Sequence, residues 1–60
     1  MKNKYHYVYI VQGCYDYHTW EDVHMAENYL DGKKRLREYR ANEGSYSHRL
    51  IQRRVLNNES

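Results

Sequence analysis

The first stretch in which apolar and aromatic residues crowd together is Tyr5 to Gly13, reading YHYVYIVQG. Dense β-branched and aromatic residues closed by a glycine predict a β-strand. Side chains alternate along a strand, so Tyr5, Tyr7, Tyr9 and Val11 share one face and His6, Val8, Ile10 and Gln12 the other. Cys14 to Thr19 reads as a polar, aromatic connection. Trp20 to about Met25 reads either as a short second strand, with Val23 and Met25 on one face, or as the lead-in to a helix.

The period then changes. From about Asn28 to Ala41, Tyr29, Gly32, Leu36, Tyr39 and, at the margin, Arg40 fall on one helical face. Asn28 is a candidate N-cap, Asp31 suits the positive end of the helix dipole, and Asp31 and Arg35 form an acid-first i,i+4 pair. Asn42, Glu43 and Gly44 end the helix, with Gly44 available as a left-handed C-cap. Gly32 is discordant, since glycine costs about 1 kcal/mol relative to alanine inside a helix. Asp31-Gly32 is therefore also readable as a turn, with the helix starting at Lys33. The last element, Tyr46 to Leu56, reads as a strand with mixed faces: Leu50 and Leu56 lie on one, Ile51 and Val55 on the other. A bulge would reconcile them. Met1 to Lys4 and Asn57 to Ser60 are read as frayed tails.

This order predicts a small α+β fold of the form β-(β)-α-β: a two- or three-stranded antiparallel sheet with one helix packed on one face. Residues 1–60 form a single domain with an ordered core of about 5–56. Leu36, Tyr39 and Tyr29 are expected to meet Val8, Ile10 and one apolar set from the last strand, with Trp20 plugging the open end of the core. Tyr5, Tyr7 and Tyr9 then line the open face of the sheet.

Composition sharpens this picture. A 60-residue chain buries only about 60% of the surface its unfolded form exposes, and its core supplies about 3–5 kcal/mol net. A bound partner, or a homodimer, would add to that. The chain holds eight tyrosines, no phenylalanine and no proline. Tyrosine offers a large apolar body and a hydroxyl that needs a partner or water, a combination common at binding surfaces. Charge is divided along the chain. Residues 1–30 set Lys2 and Lys4 against Asp16, Glu21, Asp22 and Glu27, whereas residues 31–60 set eight Lys and Arg against Asp31, Glu38, Glu43 and Glu59. Such a division can mark a basic face for an anionic partner. Cys14 is the lone cysteine, so no internal disulfide forms. No apolar run approaches the roughly 20 residues needed to span a bilayer. The expectation is a cytoplasmic protein with no membrane association.

Candidate chemistry is sparse. Cys14, His6, His18, His24 and His48 lack the paired spacing of a metal site. Cys14 beside a histidine, or Asp16, Glu21 and Asp22, would need an enclosed pocket that so short a chain hardly builds. No catalytic residue, metal or cofactor is therefore expected. The basic residues carry more weight. Lys33, Lys34, Arg35, Arg37 and Arg40 lie on the helix and Arg49, Arg53 and Arg54 on the last strand, with Lys33, Arg37 and Arg40 clustered on one flank. The bland alternative is a solvated helix face. The tyrosine row resembles the aromatic platforms on which sheets stack bases, and equally a surface that grips protein. The bland alternative here is a covering for a bare sheet.

At Tyr9 to Gly13 (YIVQG), Trp20-Glu21-Asp22-Val23, Leu36, Tyr39, Asn42, Glu43, Arg49 and Arg53-Arg54, the chain resembles a family of very short bacteriophage and prophage proteins. Those read Y-(V/I)-(V/I)-Q-G, then W-E-D-(V/L), a helix with L-x-x-Y-R-x-N-E, and R-(I/V)-x-R-R. The likeness runs from about Tyr7 to Val55. It departs at Asp31-Gly32, where the family tends to Glu-Ala, and at Gly44, where it tends to proline. The resemblance implies a mobile-element origin and the cytoplasm of a bacterial host. It implies no activity.

Two functions follow as expectations. The first is a stoichiometric accessory protein that docks on a host protein and modulates it, using Tyr7, Tyr9, Tyr15, Tyr17, Arg49 and Arg53, since tyrosine and arginine are favoured interface anchors. The second is a module for RNA or DNA, with Tyr5, Tyr7 and Tyr9 on bases and Lys33, Arg37, Arg40, Arg53 and Arg54 on phosphates. If the tyrosines and the helix basics share a surface, nucleic acid is favoured; if they face opposite ways, a protein partner is.

Overall fold

Four elements follow one another in a computed structural model that describes residues 4–57: β1 (Tyr5–Cys14), β2 (Trp20–Ala26), α1 (Tyr29–Asn42) and β3 (Ser47–Leu56). The strands form one antiparallel sheet in the order β2-β1-β3. The fold is the small α+β arrangement expected, and Trp20–Ala26 is a strand rather than a helix lead-in.

The first and last strands make the longest ladder. β1 and β3 pair without a break from Tyr5 opposite Leu56 to Cys14 opposite Ser47. Asn57 N–H then donates to the carbonyl of Lys4 at 2.8 Å, and His6 Nδ1 meets Asn57 Oδ1. Lys4 and Asn57, read above as tail residues, therefore extend the ladder. The remaining tail residues, 1–3 and 58–60, lie outside the described residues. The bulge expected in the last strand is in β2 instead. Val11 pairs with His24 but Gln12 pairs with Asp22, which leaves Val23 unmatched. β3 needs no bulge: Leu50 packs beneath α1, Ile51 and Val55 lie half-buried on the other face, and Leu56 is exposed.

α1 starts where its cap places it. The Asn28 side-chain oxygen accepts the Asp31 N–H at 2.9 Å, and its amide donates to Asp31 Oδ2 at 3.0 Å. These bonds satisfy donors that open every helix, so Asp31-Gly32 sits inside the first turn and is not a separate turn. At the other end Glu43 N–H donates to the Tyr39 carbonyl at 2.7 Å. No glycine has a positive φ, so Gly44 does not form the left-handed C-cap expected of it.

The helix covers the face opposite to the one expected. A Cβ added at Gly32 would lie 3.0 Å from Leu50 Cδ1 and 3.1 Å from Tyr9 Cβ. Paired residues of an antiparallel ladder point the same way. Tyr9, Val11 and Gly13 of β1 thus share the helix side with His48, Leu50 and Gln52 of β3 and with His24 and Ala26 of β2. Val11, Ala26 and Leu36 are buried there. Gly32 is the reason: its missing side chain lets the helix backbone settle onto Tyr9 and Leu50, which repays the propensity it costs.

Val8 and Ile10 point the other way, yet they are only 2% and 4% exposed. Arginine covers them. Arg53 sits opposite Val8 and Asp22 opposite Gln12, and Arg53 Nη1 reaches Asp22 Oδ2 at 2.6 Å. Its stem must therefore cross β1 diagonally above Ile10, an apolar lid with a charged tip. Trp20 lies on this same face opposite Cys14, with the Arg49 guanidinium 4.1 Å from its ring centroid. It lids the uncovered face and does not plug the core under the helix.

Candidate nucleic-acid interface

The sheet is unequally dressed along its length. β2 pairing stops at Ala26 opposite Tyr9, and α1 begins at Tyr29 beside the same point. Tyr5 to Val8, paired with Arg53 to Leu56, therefore projects as a two-stranded ribbon past β2. On the helix side of that ribbon stand Tyr5 and Tyr7, 41% and 52% exposed, with Arg54 and the exposed Leu56 opposite them. The Arg54 guanidinium lies 4.6 Å from the Tyr5 ring centroid, a cation–π contact. Tyr29, half exposed, meets Tyr9 edge-on with centroids 5.7 Å apart. It stands as a wall where the helix rises from the sheet.

The basic flank of α1 borders the same side. Arg40 Nη2 donates to the His48 carbonyl at 3.2 Å. That bond places the Lys33, Arg37 and Arg40 flank over β3, because these three project close together on the helical wheel. Lys33 and Arg37 have no ion-pair or hydrogen-bond partner among the described residues. β3 itself holds Arg49, Arg53 and Arg54 and no acidic residue. Five of the acids gather at the opposite edge, while Glu43 follows the end of α1 beside His48 of β3. Glu21 and Asp22 lie on β2 and Glu27 just after it, while Asp31 and Glu38 line a groove of about 380 Å³ with Lys34 and Arg35 between helix and β2.

The two faces differ in how their arginines are engaged. On the face away from the helix, Arg53 is held by Asp22 and Arg49 Nε donates to Gln12 Oε1 at 2.8 Å while stacking on Trp20. Gln12 Nε2 in turn donates to Asp22 Oδ1 at 2.8 Å. The Arg53 bond, followed by that from Gln12, pulls the Asp22 carboxyl below its ordinary value, and the Arg53 guanidinium is raised in return. These cations are already answered within the chain. On the helix side Arg35 pairs with Glu38 at 3.2 Å, whereas Lys33, Arg37, Arg40 and Arg54 have no carboxylate partner among the described residues.

Of the residues expected to bind nucleic acid, the fold brings Tyr5, Tyr7, Arg54, Lys33, Arg37 and Arg40 to one side. Tyr9 lies under the helix, and Arg53 is on the other face. The residues expected at a protein interface are dispersed. Tyr7 is on the ribbon, Tyr17 is at the tip of the far loop with φ 66° and 80% exposed, and Arg49 and Arg53 are on the uncovered face. Tyr15 is folded inward. Its ring lies so close over Gly13 that an added Cβ there would meet it at 2.7 Å.

Tyr15 belongs to a polar cluster that sequence reasoning did not find. Its hydroxyl donates to Glu43 Oε1 at 2.7 Å and lies 3.3 Å from His48 Nε2, which is itself 3.0 Å from Glu43 Oε1. The bond to Glu43, then burial, pushes the Tyr15 hydroxyl up to about 12, while Tyr15 and His48 hold the Glu43 carboxyl below its ordinary value. The His48 side chain is wholly enclosed and its Nδ1 has no partner. A proton on Nε2, donated to Glu43, leaves only a lone pair at Nδ1, the cheaper atom to bury bare. Gly13 was the available signal, since a glycine within a strand marks a close approach.

Among the described residues, no three of His, Cys, Asp and Glu are grouped so as to hold a metal ion. No helix there is long and apolar enough to cross a membrane. In comparison with known proteins, the chain matches no family model, no curated protein and no solved structure.

Proposed function

We propose that the chain is a small non-catalytic module that binds nucleic acid, an accessory protein of the phage or mobile-element kind its sequence resembles, working in a bacterial cytoplasm. The observation that carries the reading is the division of the cations. Among the described residues Lys33, Arg37 and Arg54 have no carboxylate partner, and they border one side of the sheet together with exposed Tyr5 and Tyr7. Unanswered cations beside aromatics suit a phosphate backbone with bases attached. Docking on a host protein, the other expectation, is left with a divided surface, because its tyrosines and arginines lie on both faces and at both ends.

The test is fluorescence anisotropy of labelled single-stranded RNA and duplex DNA, titrated with purified protein at low and near-physiological salt. Binding to at least one of them persists at the higher salt. Alanine at Lys33, Arg37 and Arg54 weakens it, and each replacement flattens the salt slope by about one. Absence of binding at low salt, or binding indifferent to the triple variant, removes the reading and moves the search to host proteins.

A further inference from the structure

We infer that the partner is a single strand, with two unpaired bases taken by the ribbon at Tyr5 and Tyr7; this rests on the nucleic-acid reading above and narrows it. Tyr5 and Tyr7 are alternate residues of one strand, so their rings rise from the same side about 7 Å apart. That separation suits successive nucleotides of an extended strand, whose bases are no longer stacked on one another. A duplex offers a protein its grooves and phosphates but not the faces of its bases, so tyrosines in this position add nothing to duplex binding.

The surroundings fit the same occupant. The ribbon stands clear of β2 and α1, so a strand reaches both rings from the open end. The Arg54 guanidinium lies over the Tyr5 ring, 4.6 Å from its centroid, and a guanidinium can meet a base through its plane and a phosphate through its N–H groups. Tyr29 limits the platform on the inner side, so a strand leaving Tyr7 is turned along β3 toward Lys33, Arg37 and Arg40. From Tyr5 to Tyr9 is about 13 Å along the strand, and from Lys33 to Arg40 about 10 Å along the helix. The whole track suits about four nucleotides, two stacked and two held by phosphate.

The charge geography sets direction as well as attraction. The β2 edge carries Glu21 and, just past it, Glu27, which repel a phosphate chain, so the strand has one favourable route off the ribbon, along β3. On the opposite face the large aromatic is Trp20, with Arg49 over its ring and held to Gln12, so no pair of rings stands there to take successive bases.

The test compares three labelled probes of one length: a single-stranded oligonucleotide, the corresponding duplex, and a strand with four central abasic sites. Each is titrated against the wild-type chain and the Tyr5→Ala/Tyr7→Ala and Tyr5→Phe/Tyr7→Phe variants, with far-ultraviolet circular dichroism confirming the fold. The single strand binds wild type at least tenfold more tightly than the duplex or the abasic strand. The alanine pair brings the single strand down to the abasic level, whereas the phenylalanine pair, which keeps both ring faces, stays within about threefold of wild type, since base–aromatic stacking does not need the hydroxyl. If the duplex binds as tightly as the single strand and the alanine pair changes neither, the stacking platform is overturned while the nucleic-acid reading stands. If no probe binds at low salt, both fall. If the phenylalanine pair fails as completely as the alanine pair while remaining folded, the hydroxyls and not the rings carry the contact, and the inference is again overturned.

Discussion

The two ends of the sheet use the same residue for opposite purposes. At the Gly13 end, Tyr15 lies over a glycine, packs edge-on against Tyr46 at 5.0 Å and His48 at 5.8 Å, and spends its hydroxyl on Glu43. At the Tyr5 end, Tyr5 and Tyr7 stand on a ribbon that neither β2 nor α1 reaches. One end has its tyrosine polarity answered from within and is built for stability. The other sets Arg54 over the Tyr5 ring and leaves Tyr5 and Tyr7 exposed to solvent. The difference arises from what stands around each ring rather than from the ring, and substitutions at the two ends should therefore fail in different ways.

The largest expected effect is at the seat of the helix between these ends. Gly32→Leu forces a branched side chain into the contact with Tyr9 and Leu50. Overpacking costs about 1–3 kcal/mol and often more where backbone must move, most of what so small a core supplies. Urea or thermal melts by circular dichroism should show the cooperative transition largely lost. A wild-type melt would mean that α1 does not sit on Tyr9 and Leu50. Leu36→Ala, a buried leucine truncated under the same helix, belongs with it at about 2–5 kcal/mol.

At the covered end, Glu43→Ala strips the acceptor from Tyr15 and from enclosed His48, and should lower the melting temperature measured by circular dichroism. Tyr15→Phe should cost about 1 kcal/mol. It should also delete one step of the tyrosinate absorbance titration, the one near 12. A raised tyrosine value means that the folded state retains its proton longer than the unfolded chain. The stability it contributes is whole below about 10, the ordinary tyrosine value, and is lost as pH climbs toward 12. If the phenylalanine variant keeps the last step, that step belongs to another residue and the cluster is misassigned.

Acid should act on both faces at once. Glu43 and Asp22 both have lowered values, so their contribution is present above about 4, the ordinary carboxylate range, and fades as pH falls through their folded values. The Glu43→Gln/Asp22→Asn variant should be less stable at neutral pH and flatter between about pH 5 and pH 2 in a melting-temperature series. A wild-type slope in that variant would place the acid sensitivity elsewhere. The smallest effect on stability is expected at the bare end. Tyr5→Ala and Tyr7→Ala should each cost no more than about 1 kcal/mol, the scale of a cross-strand pair. A larger loss would mean that the ribbon tyrosines hold the fold together, contrary to the division drawn between the ends.

Much of this architecture is legible in the chain. The aromatic run, the Asn28 cap and the Leu36 stripe locate β1 and α1, because caps and periodicity act through neighbouring residues. The face that the helix covers is not legible. Both faces of Tyr5 to Gln12 carry bulky side chains, so alternation defines two faces without choosing between them. The choice is made by Gly32, which reads as a defect along the chain and serves as a contact across it. Nor does the pattern show that Arg53, charged and on an edge strand, can lid Val8 and Ile10 by reaching Asp22, since the two positions are brought together only by a third strand between them. The candidate surface was accordingly half legible. Tyr5, Tyr7, Lys33, Arg37, Arg40 and Arg54 come together, while Tyr9 is lost to the helix and Arg53 to the opposite face.

The unbroken ladder between β1 and β3 also bears on how the chain is made. β1 is the first of the four elements to leave the ribosome and β3 the last, yet they hold the longest partnership in the molecule, closed at its margin by Asn57 and Lys4. The central strand must wait, with one side unpaired, until synthesis reaches Leu56. Contacts so distant in sequence form slowly. Folding here is expected to be a late, nearly all-at-once event, and a nascent chain stalled anywhere before β3 would display an aromatic, unpaired strand to whatever lies nearby.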